Sequence, residues 1–225
     1  MIQIAVINHS TVVDYTEFAA SVAAVNIQVQ RDFRKYWATS ATVFDATGLA
    51  IPHGAWVIDV LDNSDQANAL GYHNVTAGIP NGRVFAKTCL DDNTSWSVCL
   101  SHEVLEALAD PYCTRSVSLG NGRLVAQEVG DPCEGDNFGY RINNILVSDF
   151  VTPLWFHKLP SSIGMYDFCR HITSPLTLLP GGYASVYSPG QGWHQVYAEK
   201  SQRAEASARS WYRACNKEVA DINLG

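Results

Sequence analysis

Charged residues are scarce in this chain, and Lys and Arg are scarcer than Asp and Glu. Only 16% of the 225 residues are Asp, Glu, Lys or Arg, and the formal net charge at pH 7 is −7. No long run of Lys and Arg offsets this acidic balance. Because proteins that bind nucleic acids present a basic surface to the phosphates, we expect no nucleic-acid partner.

Long apolar runs are also absent. No stretch approaches the ~20 apolar residues that a membrane-spanning helix needs. We therefore predict no transmembrane segment and no membrane partner. Residues 1–7 lack the basic lead and cleavage signature of a signal peptide, and they read instead as a strand.

Closely spaced cysteine pairs are the third absence. None of the six cysteines forms a Cys-x-x-Cys pair, which argues against a zinc knuckle or a dithiol redox motif. We expect reduced, mostly buried thiols in a cytoplasmic protein, and the sequence leaves disulfides open.

The residues that are present predict an α+β fold. With 47% hydrophobic residues, the chain can bury a sizeable core. Apolar positions spaced three and four residues apart predict a long packing helix over 17–37. Strands are predicted at 2–7, 41–45 and 55–61, an order that indicates a mixed twisted sheet with the helix packed on it. Two extended segments follow and suit a sheet edge, at which residues 84–86 would hold an extended peptide.

The segment 96–111 carries the strongest chemical signal. It reads as a helix that ends before Pro111, and its polar side chains His102, Glu103, Glu106 and Asp110 share one arc. His102 and Glu106 are one turn apart, so both can bind one divalent cation. Glu103, beside them, can then take a proton from a water that the cation activates. The competing interpretation is an ordinary solvated face of an amphipathic helix.

A third ligand must come from elsewhere, because a zinc site needs at least three protein ligands. The acidic cluster after the next strand is the best source, and Asp131 is the first choice because Pro132 fixes its loop, with Glu128 and Glu134 as alternatives. Asp110 lies about 12 Å along the helix axis from His102 and is predicted to act behind the ligands or at the helix end.

Two further features complete the predicted site. His73, in the edge segment, is predicted to support the ligands or the substrate, although a lone loop histidine is often incidental. The metal is predicted to be Zn²⁺, with Ca²⁺ or Mn²⁺ as alternatives because the second carboxylate makes the site harder.

The last fifty residues differ in character. Pro and Gly punctuate a stretch with strands at 183–187 and 193–198, and an Ala-rich segment over 200–219 reads as a terminal helix. We therefore predict a metal-binding domain over 1–173, followed by a small β appendage and C-terminal helix over 174–225.

The combined motifs resemble the zincin metalloproteases, and in particular a group of uncharacterised His-Glu-x-x-Glu proteins from bacterial and phage genomes. The segments that carry the likeness are 26–33, 70–73, 96–106, 128–134 and 180–183. The resemblance implies an active-site helix under an edge strand, with His102 as first ligand and Glu103 as general base. Glu106 stands where zincins have a second histidine.

Two functions are therefore expected. The first is a zinc-dependent peptidase or amidase that acts on a peptide or protein substrate. The second is a non-catalytic phage virion or assembly protein on a zincin-like scaffold, with a structural cation or no metal. Its partners would be other virion proteins or copies of itself, so the location would be the virion rather than the cytoplasm.

Overall fold

The computed structural model describes residues 1–67, 69–157 and 164–198. It has a mixed α and β architecture with helices and several sheets, which confirms the α+β class. The largest sheet holds five strands in the order β2-β1-β3-β5-β4. They are β1 (Ile2–Asn8), β2 (Ala41–Asp45), β3 (Trp56–Leu61), β4 (Gly71–Thr76) and β5 (Ile79–Phe85).

Four of these strands run parallel, and only β4 is antiparallel to its neighbour β5. The sheet edge expected at residues 84–86 is wrong, because β5 lies between β3 and β4 and the next helix, α3, starts at Ala86 (Ala86–Asp91). The chain turns earlier than expected, at Ala77 and Gly78, which both have positive φ. Pro80 lies opposite Val75 of β4, and pairing of β5 with β3 starts only at Asn81, so Pro80 lies outside the ladder to β3.

The long packing helix is present, in three consecutive pieces. They are α1 (Tyr15–Ile27), a wider π-helical segment (Gln28–Phe33) and α2 (Arg34–Trp37). Asp14 caps the start, since its side chain accepts the backbone N–H of Glu17 at 2.9 Å. Within the π-helical segment, the Gln28 amide reaches the Ser148 carbonyl at 2.8 Å and so ties this helix to the chain near the site.

The helix predicted over 96–111 is α4 (Trp96–Ala109), and all 14 of its residues are buried. The indole N–H of Trp96 donates to the Glu17 carboxylate at 2.7 Å, and the Trp96 ring stacks on Phe18. These contacts fix the start of α4 against α1, while the body of α4 packs on β4, β5 and a later strand, β9 (Ile145–Val147).

The second half of the described chain forms two smaller sheets. One has the order β11-β10-β7-β6, with all neighbours antiparallel. The other is a hairpin of β8 and β9. The strands are β6 (Ser116–Gly120), β7 (Arg123–Ala126), β8 (Tyr140–Ile142), β9 (Ile145–Val147), β10 (Tyr183–Ser188) and β11 (Gly192–Tyr197).

The C-terminal strands were expected to form an appendage, yet β10 pairs with β7 and so shares a sheet with strands from the middle of the chain. The division into domains at residues 173 and 174 stays a prediction. The terminal helix predicted over 200–219 lies outside the described residues. In the part of the chain that the structure describes, no helix has the length and apolar character to cross a membrane.

Candidate metal centre

The polar arc of α4 faces the protein interior. His102 is 3% exposed, and Glu103, Glu106 and Asp110 are each 0% exposed. The alternative of a solvated helix face is therefore wrong. Because β4, β5 and β9 surround α4, its polar side as well as its apolar side packs against protein.

Three predicted ligands lie together at the centre of this region. Nε2 of His102 is 3.1 Å from Oε1 of Glu106 and 3.2 Å from Oδ1 of Asp131. One nitrogen or oxygen from each of the three residues lies within 4.8 Å of the other two. The backbone N–H of Gly130 donates to the same Glu106 oxygen at 3.2 Å, which orients that carboxylate.

Asp131 reaches His102 because the backbone before and after it is closely packed. A Cβ atom on Gly130 would lie only 2.4 Å from Nδ1 of His102, so only glycine lets the loop approach the ring. Asp131 begins a single helical turn (Asp131–Cys133) that contains Pro132. Gly182, just before β10, lies close to the Pro132 carbonyl, since a Cβ on Gly182 would be 2.6 Å from that oxygen.

A second group of side chains adjoins the first and shares Glu106 with it. Nδ1 of His73, on β4, is 3.6 Å from an oxygen of Glu103 and 3.6 Å from an oxygen of Glu106. The other ring nitrogen of His73 is 3.8 Å from Glu128. Gly71, at the start of β4, leaves room for Glu103, since a Cβ there would lie 3.0 Å from a Glu103 oxygen.

The cluster holds more negative than positive charge. Glu103, Glu106, Glu128 and Asp131 are buried carboxylates, and His73 and His102 are the two imidazoles among them. Four carboxylates outweigh two imidazoles even when both rings are protonated. Burying uncompensated charge is costly. A divalent cation bound among these side chains would add two positive charges to the set.

Burial and neighbouring charges together shift the pKa values of two groups in the cluster. Burial, together with the charge of Asp131, raises the pKa of Glu106 to about 7 despite the opposing effect of His102. Burial disfavours protonation of His73, but Cys113, Glu128 and Glu103 outweigh it and hold the pKa of His73 well above its usual value.

The structure sorts the predicted site residues. His102, Glu106 and Asp131 meet in one group, and Glu103, His73 and Glu128 adjoin it. Glu134 belongs to neither group. Asp110 accepts the backbone N–H groups of Thr114 and Arg115 at 2.9–3.0 Å, so it closes the end of α4. The roles of these residues in metal binding and catalysis stay predictions.

Sequence reasoning missed two features of the centre. It did not anticipate that a side chain at Gly130 would collide with the ring of His102, or that one at Gly71 would crowd Cys99, the Arg83 carbonyl and the carboxylate of Glu103. It also treated Glu128 only as a substitute for Asp131, whereas Glu128 approaches His73 instead. A glycine directly before an acidic candidate was the available signal for the first of these.

Comparisons with known proteins add no relative: no family model matches the chain, and searches of curated proteins and of solved structures return no match.

Proposed function

We propose that the protein is a zinc-dependent hydrolase of peptide or amide bonds, in which His102, Glu106 and Asp131 hold the metal. The convergence of these three side chains in a buried cluster with more carboxylates than imidazoles is the observation that carries the proposal. Glu103, the general base of this proposal, lies next to them on the same helix.

The donor set fits zinc. One imidazole nitrogen and two carboxylate oxygens match the His and Asp/Glu ligands of catalytic zinc sites, which use three protein ligands and keep one position open. Two ligands at about 2.0–2.1 Å from a tetrahedral zinc lie about 3.3–3.4 Å apart. The measured separations of 3.1 and 3.2 Å are close to this. Calcium takes about 6–8 oxygen ligands and suits this set less well.

The chemistry assigns a separate task to each neighbouring residue. A bound zinc polarises a carbonyl group and lowers the pKa of a coordinated water. Glu103 accepts the proton of the attacking water and passes it to the leaving amine. His73, whose Nδ1 lies 3.6 Å from an oxygen of Glu103 and 3.6 Å from one of Glu106, is assigned the task of positioning the Glu103 carboxylate. A peptide substrate adds as a strand to β4, the edge strand that carries His73.

The arrangement of elements supports a zincin-like scaffold for this activity. An antiparallel edge strand, β4, packs against the helix that carries His102, Glu103 and Glu106, on a sheet whose other strands are parallel. The resemblance to zincins implies an active-site helix under an edge strand, and the packing of α4 on β4 supports that part of the proposal. Glu106 in place of the second histidine is the departure from it.

Burial of the cluster favours a second candidate function. None of the six residues is more than 8% exposed, and a cation enclosed in this way can serve to hold the fold together. The protein would then be a non-catalytic assembly or virion component with a structural cation. This candidate predicts metal binding without turnover.

Glu103→Gln separates the two candidates. The zinc-loaded wild-type protein and the variant are each incubated with a peptide library, and the products are identified by mass spectrometry. We expect cleavage by the wild type, none by Glu103→Gln, and an unchanged zinc content in the variant. Glu134→Gln is the matched control and should cleave normally, because Glu134 belongs to neither of the two groups of side chains in the metal centre.

Two results would contradict the proposal. Normal cleavage by Glu103→Gln would show that the assigned general base is wrong. Bound zinc without cleavage by the wild-type protein would favour the structural cation. Glu106→Ala should lose about one equivalent of zinc relative to the wild type, since it removes one of three ligands.

A further inference from the structure

A second group of metal-ligating side chains lies outside the centre described above. One oxygen of Asp149, the sulfur of Cys169 and one nitrogen of His171 lie within 4.8 Å of one another. Nδ1 of His171 is 3.4 Å from Oδ2 of Asp149 and 3.5 Å from Oδ2 of Asp167. This group combines oxygen, sulfur and nitrogen donors, which the first centre does not.

Backbone pairing brings these residues together. The chain after β9 runs antiparallel to residues 166–168, where Thr152 N donates to the Tyr166 carbonyl at 2.8 Å and Phe168 N to the Phe150 carbonyl at 2.9 Å. This pairing places Asp149 opposite the turn that contains Cys169 and His171. The two residues are separated by one position, so both side chains can turn toward Asp149.

Hydrogen bonds already hold the carboxylates in place. Oδ1 of Asp149 accepts the N–H groups of Phe150 at 2.7 Å and Cys169 at 3.1 Å, which leaves Oδ2 directed at His171. The two oxygens of Asp167 accept the N–H groups of His171 at 2.8 Å and Ile172 at 2.9 Å. The rings of Phe138 and His171 pack in a T-shaped arrangement, with centroids 5.4 Å apart, which restricts the orientation of the imidazole.

The donors of this group lie in a mostly buried setting. Asp149 and Asp167 are both 0% exposed. A carboxylate oxygen, a thiol sulfur and an imidazole nitrogen therefore come together in one place, with Asp167 beside them.

We propose that Asp149, Cys169 and His171 form a second zinc site, separate from the His102 cluster. The 3.4 Å between the nitrogen and oxygen donors matches the spacing of about 3.3–3.4 Å between two ligands of a tetrahedral zinc. Zinc binds thiolate, imidazole and carboxylate alike. The side chain of His171 is 37% exposed, which leaves a path for the ion and a position for water. On binding, the thiol and carboxyl protons leave to solvent.

The second site would hold the residues around the first. Val151, two residues after Asp149, donates its N–H to the Val129 carbonyl at 2.8 Å, and Val129 directly precedes Gly130 and Asp131. A metal bound by Asp149, Cys169 and His171 would connect the 167–171 turn to the segment that contains Asp149 and Val151, and so to Val129. The second site therefore supports the loop that carries Asp131, and it can do so whether or not the first centre is catalytic.

Cobalt substitution tests the second site alone. A cysteine thiolate bound to Co²⁺ produces a charge-transfer absorption in the near ultraviolet, and the ligands of the first centre include no sulfur. We expect the full-length protein to develop this absorption up to one equivalent of thiolate-bound Co²⁺. Glu106→Ala should keep it, so failure of the proposed hydrolase centre would leave this result unchanged. Cys169→Ser should lose it, and the matched control Cys89→Ser should keep it, because Cys89 is not in this group.

A second variant guards against misfolding. His171 is partly exposed, so His171→Ala should fold, as checked by circular dichroism, and should bind cobalt about tenfold more weakly or worse. The proposal is overturned if the folded wild type shows no thiolate absorption at saturating Co²⁺. Persistence of the absorption in Cys169→Ser, or unchanged affinity in His171→Ala, would also overturn it.

Discussion

Gly130→Ala tests the metal centre with the smallest change that the structure allows. The added Cβ would lie 2.4 Å from Nδ1 and 2.6 Å from Cε1 of His102, whereas ordinary contacts begin at 3.4 Å. Either the imidazole or the Asp131 loop must therefore move by about 1 Å. Gly130 has φ −91° and ψ −35°, which alanine adopts easily, so the effect comes from this contact and not from backbone strain.

The size of the effect follows from the neighbours of Gly130. Its N–H donates to Glu106, and Asp131 comes directly after it, so one displacement disturbs all three proposed ligands. Disturbing the groups that orient metal ligands typically costs about 10–100-fold in metal affinity. Overpacking destabilises by about 1–3 kcal/mol, and alanine offsets about 0.4–1 kcal/mol of this by restricting the unfolded chain. We therefore expect weaker zinc binding and a net loss of roughly 1–2 kcal/mol in metal-free stability.

Chelator-competition titration measures the zinc affinity, and urea unfolding of the metal-free protein measures the stability. Gly139→Ala is the matched control, since a Cβ there would lie 2.6 Å from the Val147 carbonyl, away from the proposed ligands. It should lose stability but keep its zinc affinity. In a His102→Ala background, Gly130→Ala should cause no further loss of stability, because the ring with which the new Cβ collides is absent. Wild-type zinc affinity in Gly130→Ala would refute the proposed ligand geometry.

Two further predictions follow from the same contacts. Asp110→Asn should reduce the free energy of unfolding, measured by urea titration, by about 1–3 kcal/mol. The reason is that Asp110 is buried and accepts the backbone N–H groups of Thr114 and Arg115. A change in zinc content would contradict the role of Asp110 at the end of α4. The metal-free protein should lose on the order of 1 kcal/mol of stability between pH 6 and 8. Folding raises the pKa of Glu106 from 4.5 to about 7, so the folded protein holds the Glu106 proton more tightly than the unfolded chain does. This contribution to stability disappears as the pH rises through 7 and Glu106 loses its proton. Glu106→Gln should flatten this pH dependence, and a stability that rises over this pH range in the wild type would contradict the assignment.

The sequence alone was sufficient to predict features that arise within a few residues. Helix α4, its end before Pro111 and the grouping of His102, Glu103 and Glu106 on one face follow from the helical repeat, which fixes neighbours three and four positions apart. The strands β1 to β3 and the long packing helix were equally accessible, because each contains its own apolar periodicity. The class α+β follows from the order of those elements.

Only the tertiary structure distinguished Asp131 from Glu128 and Glu134. All three residues stand in one short acidic segment, and the sequence favoured Asp131 only through the rigid Pro132. The structure brings Asp131 next to His102 through the approach of Gly130 to the ring, a contact between segments far apart in the chain. The position of His73 depends in the same way on the register of β4 against β5.

Burial and the sheet edge were also decided by long-range packing. A polar arc on a helix looks the same in sequence whether it faces water or a cluster of charges, so the 0% exposure of Glu106 was not predictable from the helical repeat. The edge strand is β4 and not residues 84–86, because the chain turns at Ala77 and Gly78 and continues through Pro80. The local pattern determined which side chains α4 presents. The folding of distant segments around α4 determined what those side chains meet.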